Sequence, residues 1–405
     1  RSTLFPYTTL FRSLFMIGVI GLGKVGLPLA LVMRHYGHQV IGWDIDVKRV
    51  QSELETRDPR VHPEKELRDL LDADAYQVPL APDGESVIKY SDVIFLVPPT
   101  PLPGFLGDRP VPNRLETFDL RTLIELFKQV CECAEKLGRP ITVVVVSTIG
   151  LNWVDGQEWF QDTKWVKVAY NPPFISLGQV VADFTNQRFL LVGSNTPKAA
   201  DAVAAAWTPV DNKIPVLRMS IASAVIAKLA YNAVKTTRIT WMNSLAILAE
   251  AHGANIDSIS SMLHLAGEPK VQAGLGDGGA CRIRDMVSLH WGMVGARAGD
   301  GLPDSVIQAR EEHADWIATE TARHCPDGRV TILGTTYKPG VPYEDGSPAL
   351  LVGGFLANAG VSVTYWDPLA RPEPMPSAGG PFLLAIPHTD VLRWLATEAK
   401  PGANE

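Results

Sequence analysis

From Phe15 onward, short apolar runs alternate with longer stretches in which apolar residues recur at helical spacing. Met16–Ile20, Gln39–Trp43, Asp92–Val97, Ile141–Ser147, Lys167–Tyr170 and Arg188–Gly193 read as strands, rich in Val and Ile and bounded by polar or Gly-containing turns. The run ITVVVVST from Ile141 is apolar on both faces, as expected of a parallel strand covered by helices on each side. Helices fall between the strands, Leu120–Leu137 for one, and this alternation predicts a doubly wound α/β sheet.

The pattern then changes. Met219–His252 contains neither Gly nor Pro and stops at Gly253, with Val225, Leu229, Ala233, Ile239, Met242, Leu245 and Ile247 near helical spacing. A helix of this length spans about 50 Å at 1.5 Å per residue. That suits joining domains and packing against a second subunit, so a homodimer is expected. Further helices are predicted at Asp285–Trp291 and Asp304–His324, then a turn at Pro326-Asp327-Gly328. A second alternating block follows: strand Arg329–Gly334, helix Leu350–Ala359, strands Val361–Trp366 and Phe382–Ile386, and helix Val391–Ala396. Arg371–Gly380 reads as a Pro-rich surface loop. The expected layout is an α/β domain at 14–212, a central helical domain at 213–326 and a smaller α/β domain at 327–405. Residues 1–13 stand apart. TLFPYTTLFRS, turned back into codons, resembles a common sequencing adapter, and the natural start is expected at or near Met16.

Composition sharpens the picture in a few places. A chain of 405 residues with 46% hydrophobic and 20% charged positions has material for two or three buried cores. A net charge of -7 argues against nucleic acid as the main partner, because no basic excess is available for phosphates. No apolar run approaches the roughly 18 residues of a membrane span. Four cysteines are too few to staple such a chain, and a reduced, cytoplasmic protein is expected. None of the nine histidines pairs into a metal pattern, and Cys131 and Cys133 point to opposite sides of a helix, so no metal is expected.

Candidate chemistry begins at Gly21-Leu22-Gly23-Lys24-Val25-Gly26, which follows a strand and opens a helix. Gly21 permits the tight turn, Gly23 lets the backbone approach a pyrophosphate, and Gly26 allows close helix–strand packing. The next strand ends in Asp44, 23 positions after Gly21. An acid there accepts both ribose hydroxyls and repels a 2′-phosphate, which favours NAD over NADP. Arg49 is expected along the adenosine. The turns Val97-Pro98-Pro99-Thr100-Pro101 and Val146-Ser147-Thr148-Ile149 should meet the same cofactor at the carboxyl ends of their strands. A second centre is Gly276-Asp277-Gly278-Gly279-Ala280-Cys281-Arg282-Ile283-Arg284-Asp285. Glycines permit close approach of a ligand, and a helix N-terminus with nearby cations would turn Cys281 into a nucleophile. A small buried residue beside a turn is the plainer alternative for Cys281.

With these motifs the chain resembles the nucleotide-sugar dehydrogenases, the UDP-glucose/GDP-mannose dehydrogenase family, from about Met16 to about Leu395. The likeness rests on GLGKVGLPLA at 21–30, PTP at 99–101, STI at 147–149, YNPPFISLG at 170–178, AKLAYN at 227–232, GGACRIRD at 278–285, and LGTTYKPG with SPA at 333–349. It implies an N-terminal Rossmann domain, a central dimerising helix and a C-terminal Rossmann-like domain. The implied reaction oxidises a sugar-nucleotide primary alcohol to a carboxylate with two NAD+ and one water, in polysaccharide biosynthesis. By resemblance, Cys281 is the nucleophile, carrying the substrate as thiohemiacetal and then thioester. Lys228 and Asn232 steady the oxyanion, Asp285 is the acid near the nucleophile, and Thr148 positions water or substrate. Gly21, Gly23, Lys24, Val25, Gly26, Asp44, Arg49, Pro99, Thr100 and Ser147 hold NAD. Phe174, Gly278, Gly279, Tyr337 and Lys338 hold the nucleotide sugar.

Departures accompany the likeness. Pro173 stands where the family carries a Glu that serves hydrolysis, and Leu177 replaces a second common acid. Asp285 or Asp277, working through water, is the expected substitute. Ile283-Arg284 replaces Pro-Lys, the Asp-x-Arg motif upstream of the cysteine is missing with Lys270 the nearest cation, and Asp345 stands where an Arg is common. The C-terminal domain is expected to lack its last strand. Two alternatives therefore stand beside the four-electron enzyme: an impaired relative that binds NAD and nucleotide sugar without turnover, and a two-electron alcohol dehydrogenase that stops at the aldehyde.

Overall fold

A computed structural model describes residues 16–73, 77–102, 107–112, 118–151, 161–299, 301–373, 381–387 and 391–392. The adapter-like residues 1–13, most of the Pro-rich loop and most of the helix expected at Val391–Ala396 lie outside them. The described residues form two compact units, one within Arg1–Pro101 and Phe118–Lys228, the other within Leu102–Thr117 and Leu229–Glu405.

The first unit runs β1 (Met16–Ile20), α1 (Gly26–His35), β2 (Gln39–Trp43), α2 (Val47–Glu55), α3 (Lys65–Asp72), α4 (Gly84–Tyr90), β3 (Val93–Leu96), α5 (Arg121–Leu137), β4 (Ile141–Val145), β5 (Val166–Tyr170), α6 (Val180–Thr185), β6 (Leu190–Ser194), α7 (Pro197–Trp207) and β7 (Val216–Met219). These strands make one sheet of order β2-β1-β3-β4-β5-β6-β7. Every residue of β3 and β4 is buried, which explains their unbroken apolar runs. Helix α1 is buried from Gly26 to Met33, and so carries no polar stripe in its first two turns. All pairings are parallel except β5 with β6, which is antiparallel. An apolar run reads alike in either direction, so this reversal had no signature in the pattern. β7 was also not anticipated. It pairs only with β6 and is half exposed, so it lacks the alternation of a covered strand.

The register sets the site. Ile20 lies opposite both Trp43 and Leu96, and Leu96 lies opposite Val145. The turns after β1, β2, β3 and β4 therefore leave the sheet at one level, on the carboxyl edge, and the chain passes from β1 to either side at this point.

Helix α8 (Ile221–Ala251) runs from the first unit into the second. Eight of its buried positions, Ala224, Val225, Lys228, Leu229, Asn232, Thr236, Thr240 and Asn243, line one face at three- and four-residue steps. The second unit continues with α9 (Ile256–Leu265), α10 (Ala280–Gly295), α11 (Gly301–Arg323), β8 (Arg329–Leu333), α12 (Pro348–Asn358), β9 (Ser362–Trp366) and β10 (Phe382–Leu384). Its sheet, β10-β8-β9, is wholly parallel, and Ile332, Val352, Leu356 and Ala314 lie in its core. Helix α10 starts five residues earlier than its apolar pattern suggested, because Gly279 takes φ 102° and turns the chain directly into it. No helix among the described residues is long and apolar enough to cross a membrane.

Candidate functional site

In the first unit the glycine turn has the geometry its spacing implied. Gly21 has φ 94° and donates its N–H to the Trp43 carbonyl at 2.9 Å. A methyl group on Gly21 would lie 2.7 Å from the Val97 carbonyl oxygen, and one on Gly26 only 1.8 Å from the Gly21 oxygen. Gly23 differs, because nothing lies within 4 Å of the position a side chain would take. The first and third glycines serve packing, and the second leaves backbone open to a ligand. Val25 is the N-cap residue of α1, and Lys24 beside it is exposed.

Asp44 is 9% exposed. Its Oδ2 accepts from Leu22 N at 2.7 Å and its Oδ1 from Asp46 N at 2.9 Å, while Arg49 Nη2 stands 3.1 Å away. Arg49 also bonds Glu53 at 2.8 Å, so it braces Asp44 from the α2 side. The neighbouring turns are tied to each other. Ser147 Oγ donates to the Pro98 carbonyl at 2.5 Å and Thr100 Oγ1 to the Thr148 carbonyl at 2.8 Å, leaving Pro99 exposed and Thr148 half-buried at the rim.

After β5, the segment from Asn171 is held at both ends. Asn171 bonds the Leu191 carbonyl and receives the Trp207 indole N–H, and Ser176 N donates to Asp183 at 2.7 Å. Glu64, 3% exposed, accepts the Ala182 N–H at 2.9 Å at the start of α6. Lys228 is 7% exposed and donates to the Pro173 carbonyl at 2.7 Å, with its ammonium 4.7 Å from the centre of the Phe174 ring. A carbonyl and an aromatic face both favour the charged amine.

The second unit holds the cysteine. Cys281 is exposed in the first turn of α10. Four residues further on, Asp285 is fully buried. Its Oδ2 accepts from Asn232 Nδ2 at 2.6 Å and its Oδ1 from Arg284 at 3.2 Å. One turn along α8, Thr236 Oγ1 donates to Asp277 Oδ2 at 2.5 Å, and Arg282 donates to the other oxygen. Burial pushes the Asp277 carboxyl above its ordinary value, against the pull of Arg282 and the Thr236 hydroxyl. Asn243 Oδ1 accepts from Gly274 N at 3.0 Å. Polar side chains from one face of α8 thus grip both the loop before the cysteine and the helix after it. A methyl on Gly278 would lie 2.7 Å from the Tyr337 carbonyl oxygen, and Gly279 lies against the Tyr337 ring, so these three residues form one wall. Lys338 stands beside that ring, 5.7 Å from its centre.

Two family descriptions match the chain: "UDP-glucose/GDP-mannose dehydrogenase family, NAD binding domain" over residues 15–211, and the central domain of the same family over 222–309. The chain belongs to the UDP-glucose/GDP-mannose dehydrogenase family. It is 27% identical over 373 residues to the UDP-glucose 6-dehydrogenase TuaD of Bacillus subtilis, spanning 88% of this chain and 77% of that one. It is 28% identical over 371 residues to a UDP-glucose 6-dehydrogenase of Pseudomonas aeruginosa, spanning 87% and 79%. In fold it resembles a UDP-glucose dehydrogenase from Pyrobaculum islandicum, with TM-score 0.76 and 22% identity over 91% of this chain and 84% of that one. It also resembles a UDP-D-ManNAc dehydrogenase from Pyrococcus horikoshii, with TM-score 0.74 and 22% identity over 93% and 90%.

The cofactor of this dehydrogenase family domain is NAD, and the first unit fits it. The open Gly23 backbone lies at the start of α1, and each Asp44 oxygen holds one backbone donor, which leaves acceptor capacity for ribose hydroxyls. The second sheet carries a near-copy of this turn that does not fit. Gly334 donates to the Trp366 carbonyl at 2.7 Å, as Gly21 does to Trp43. Asp367, however, is fully buried and accepts four backbone N–H groups, from Thr335, Thr336, Leu369 and Ala370. No capacity remains for a ribose.

Sequence reasoning missed Thr236 as the partner of Asp277, although the four-residue step from Lys228 through Asn232 leads to it. It also missed Arg310 on α11, 5% exposed, whose Nη2 donates to the Gly107 carbonyl at 2.6 Å. Burial pushes the Arg310 pKa below its ordinary value. A lone Arg in a charged helix gives no sign of burial. Among the described residues no three of His, Cys, Asp and Glu are grouped to hold a metal.

Proposed function

We propose that this protein oxidises the primary alcohol of a nucleotide sugar to the carboxylate, using two NAD+ and one water, through a covalent intermediate on Cys281. The carrying observation is the α8 ladder, which presents Lys228 and Asn232 at i and i+4 and bonds Asn232 to Asp285 of α10, the helix that carries Cys281 in its first turn. Bound NAD+ supplies the acceptor for the electron pair leaving the sugar carbon. Lys228, its ammonium bonded to the Pro173 carbonyl and set against the Phe174 face, stabilises negative charge on the substrate oxygen. The Asn232 amide carries two hydrogens, one engaged by Asp285 and one for that oxygen. The Cys281 sulfur adds to the aldehyde as a thiohemiacetal, a second oxidation gives the thioester, and water releases the acid and regenerates the thiol. Thr148 orients water or substrate, while Tyr337, Lys338, Gly278, Gly279 and Phe174 receive the nucleotide sugar.

Pro173 supports a particular weakness in the last step. Its carbonyl is engaged by Lys228, and both oxygens of Asp277 and of Asp285 are engaged by protein donors. Both acids are also buried, Asp277 to 6% exposure and Asp285 completely, so neither is presented to water as a ready base, and slow thioester hydrolysis is the favoured variant of the reading. NADH formed per nucleotide sugar decides it. Two supports the four-electron reaction, one points to release of the aldehyde, and none removes the proposal. One fast equivalent followed by a slow second supports impaired hydrolysis.

The solvent face of α8 supports a homodimer. Ile226, Val234, Trp241 and Leu248 are 47–61% exposed, and the last three stand seven residues apart. Light scattering of Trp241→Glu should give a monomer where the parent chain gives a dimer. The reading places the enzyme in the cytoplasm, in polysaccharide biosynthesis.

A further inference from the structure

Prolines dictate how the turns after β3 and β4 are joined. Regular pairing of these strands ends where the Val146 N–H donates to the Leu96 carbonyl at 3.0 Å. Beyond it, Pro98, Pro99 and Pro101 carry no N–H, so the segment 98–101 offers only that of Thr100 to a backbone ladder. Side-chain hydroxyls take over. Ser147 Oγ donates to the Pro98 carbonyl at 2.5 Å, and Thr100 Oγ1 donates back to the Thr148 carbonyl at 2.8 Å, one bond in each direction. The Pro101 carbonyl accepts the Asp119 N–H at 2.9 Å, which fastens the far end of the turn. Ser147 and Thr100 are buried, to 9% and 5% exposure, whereas Pro99 is exposed. A hydroxyl has a single hydrogen. Each of these two is already directed at a carbonyl, so neither side chain has a donor left for a ligand.

Sheet order β2-β1-β3-β4 puts Asp44, the ribose acceptor, on one side of the glycine turn and the joined turns on the other. A dinucleotide laid across this edge, with its pyrophosphate at the start of α1, brings its nicotinamide half to β3 and β4. We propose that Ser147 and Thr100 are positioning residues for that half of NAD: their hydroxyls latch the two turns to each other instead of bonding the cofactor, and the latched turns form its seat. This rests on NAD as the cofactor of the first unit and needs nothing of the reaction proposed at Cys281.

The test is equilibrium binding of NAD and of ADP to the full chain by isothermal titration calorimetry. ADP carries the adenosine and both phosphates without the nicotinamide riboside. Ser147→Ala and Thr100→Val each leave a carbonyl without its donor. Each should weaken NAD by about five-fold or more and change ADP by less than about two-fold. Thr100→Ser keeps the hydroxyl and should bind NAD as the parent does. Because both bonds hold one arrangement, the double variant should be no more than about two-fold weaker than the poorer single variant. Losses that multiply, to about 25-fold, would mean two separate contacts with NAD and overturn the proposal. Parental NAD affinity in both single variants, or equal weakening of NAD and ADP, would overturn it too. If Ser147→Ala fails to fold by circular dichroism, the Thr100 pair decides: Val and Ser with equal NAD affinity overturn it. No turnover is read. Failure here therefore leaves the Cys281 reading untouched, and absence of NADH formation leaves this inference untouched.

Discussion

Asn232→Ala probes the contact on which the candidate site depends. Asp285 is completely buried, and its two oxygens have separate supporters: Asn232 Nδ2 at 2.6 Å on Oδ2, and Arg284 at 3.2 Å on Oδ1. Truncation at 232 removes the amide donor from Oδ2 while Arg284 still holds the other oxygen. A buried acceptor stripped of its donor costs about 1–3 kcal/mol, and more when charged, so a loss near 3 kcal/mol is expected. Asp285→Asn in the same background removes the charge that Asn232 was satisfying, and the second loss should be smaller than in the parent. The double-mutant cycle should give a coupling of about 2 kcal/mol. Urea unfolding at fixed protein concentration, followed by both tryptophan fluorescence and circular dichroism, measures all four corners. Turnover should fall together with stability, by about 100-fold or more, because the same amide is assigned to the substrate oxygen. A coupling below about 0.5 kcal/mol would show that the two side chains act independently and refute the reasoning.

Other expectations are simpler to check. Cys281→Ser should abolish NADH formation while NAD binding, followed by tryptophan quenching, is unchanged; an active serine variant removes the nucleophile assignment. Asp44→Ala should lower kcat/KM for NAD by about ten-fold or more and narrow the preference over NADP, since the ribose acceptor and the repulsion of a 2′-phosphate are lost together. Unaltered cofactor preference would count against the assigned adenosine end. His313, 3% exposed in α11, has its pKa lowered to about 4 by burial. The unfolded chain then takes up the proton first as pH falls. Stability present above the unfolded value near 6.5 is lost between there and about 4, by about 3 kcal/mol in all. Urea midpoints at pH 7 and pH 5 should differ less in His313→Phe than in the parent, and an equal difference would refute the assignment.

Much of the nucleotide-binding half was legible because its signals are local. A glycine at φ 94°, a second with open space around it and a third too crowded for any methyl are constraints written within six residues. The i, i+4 spacing of Lys228 and Asn232 likewise placed them on one helix face before any partner was known. The cysteine segment was only half legible. Its glycines and charges marked a site, but the start of α10 at Ala280 depended on the backbone angle of Gly279.

What the sequence determined alone were the covered strands and the long central helix, the dinucleotide turn and the family, since each follows from periodicity or from short motifs. Tertiary structure decided the direction of β6, the near-copy of the nucleotide turn at Asp367, and the partners of each buried charge. Thr236 meets Asp277 across 41 residues, Asn232 meets Asp285 across 53, and Lys228 meets the Pro173 carbonyl across 55. No local rule spans such separations. A carboxylate reads as a candidate base in sequence whether its oxygens are free or engaged, and only the folded chain shows which donors have already reached them.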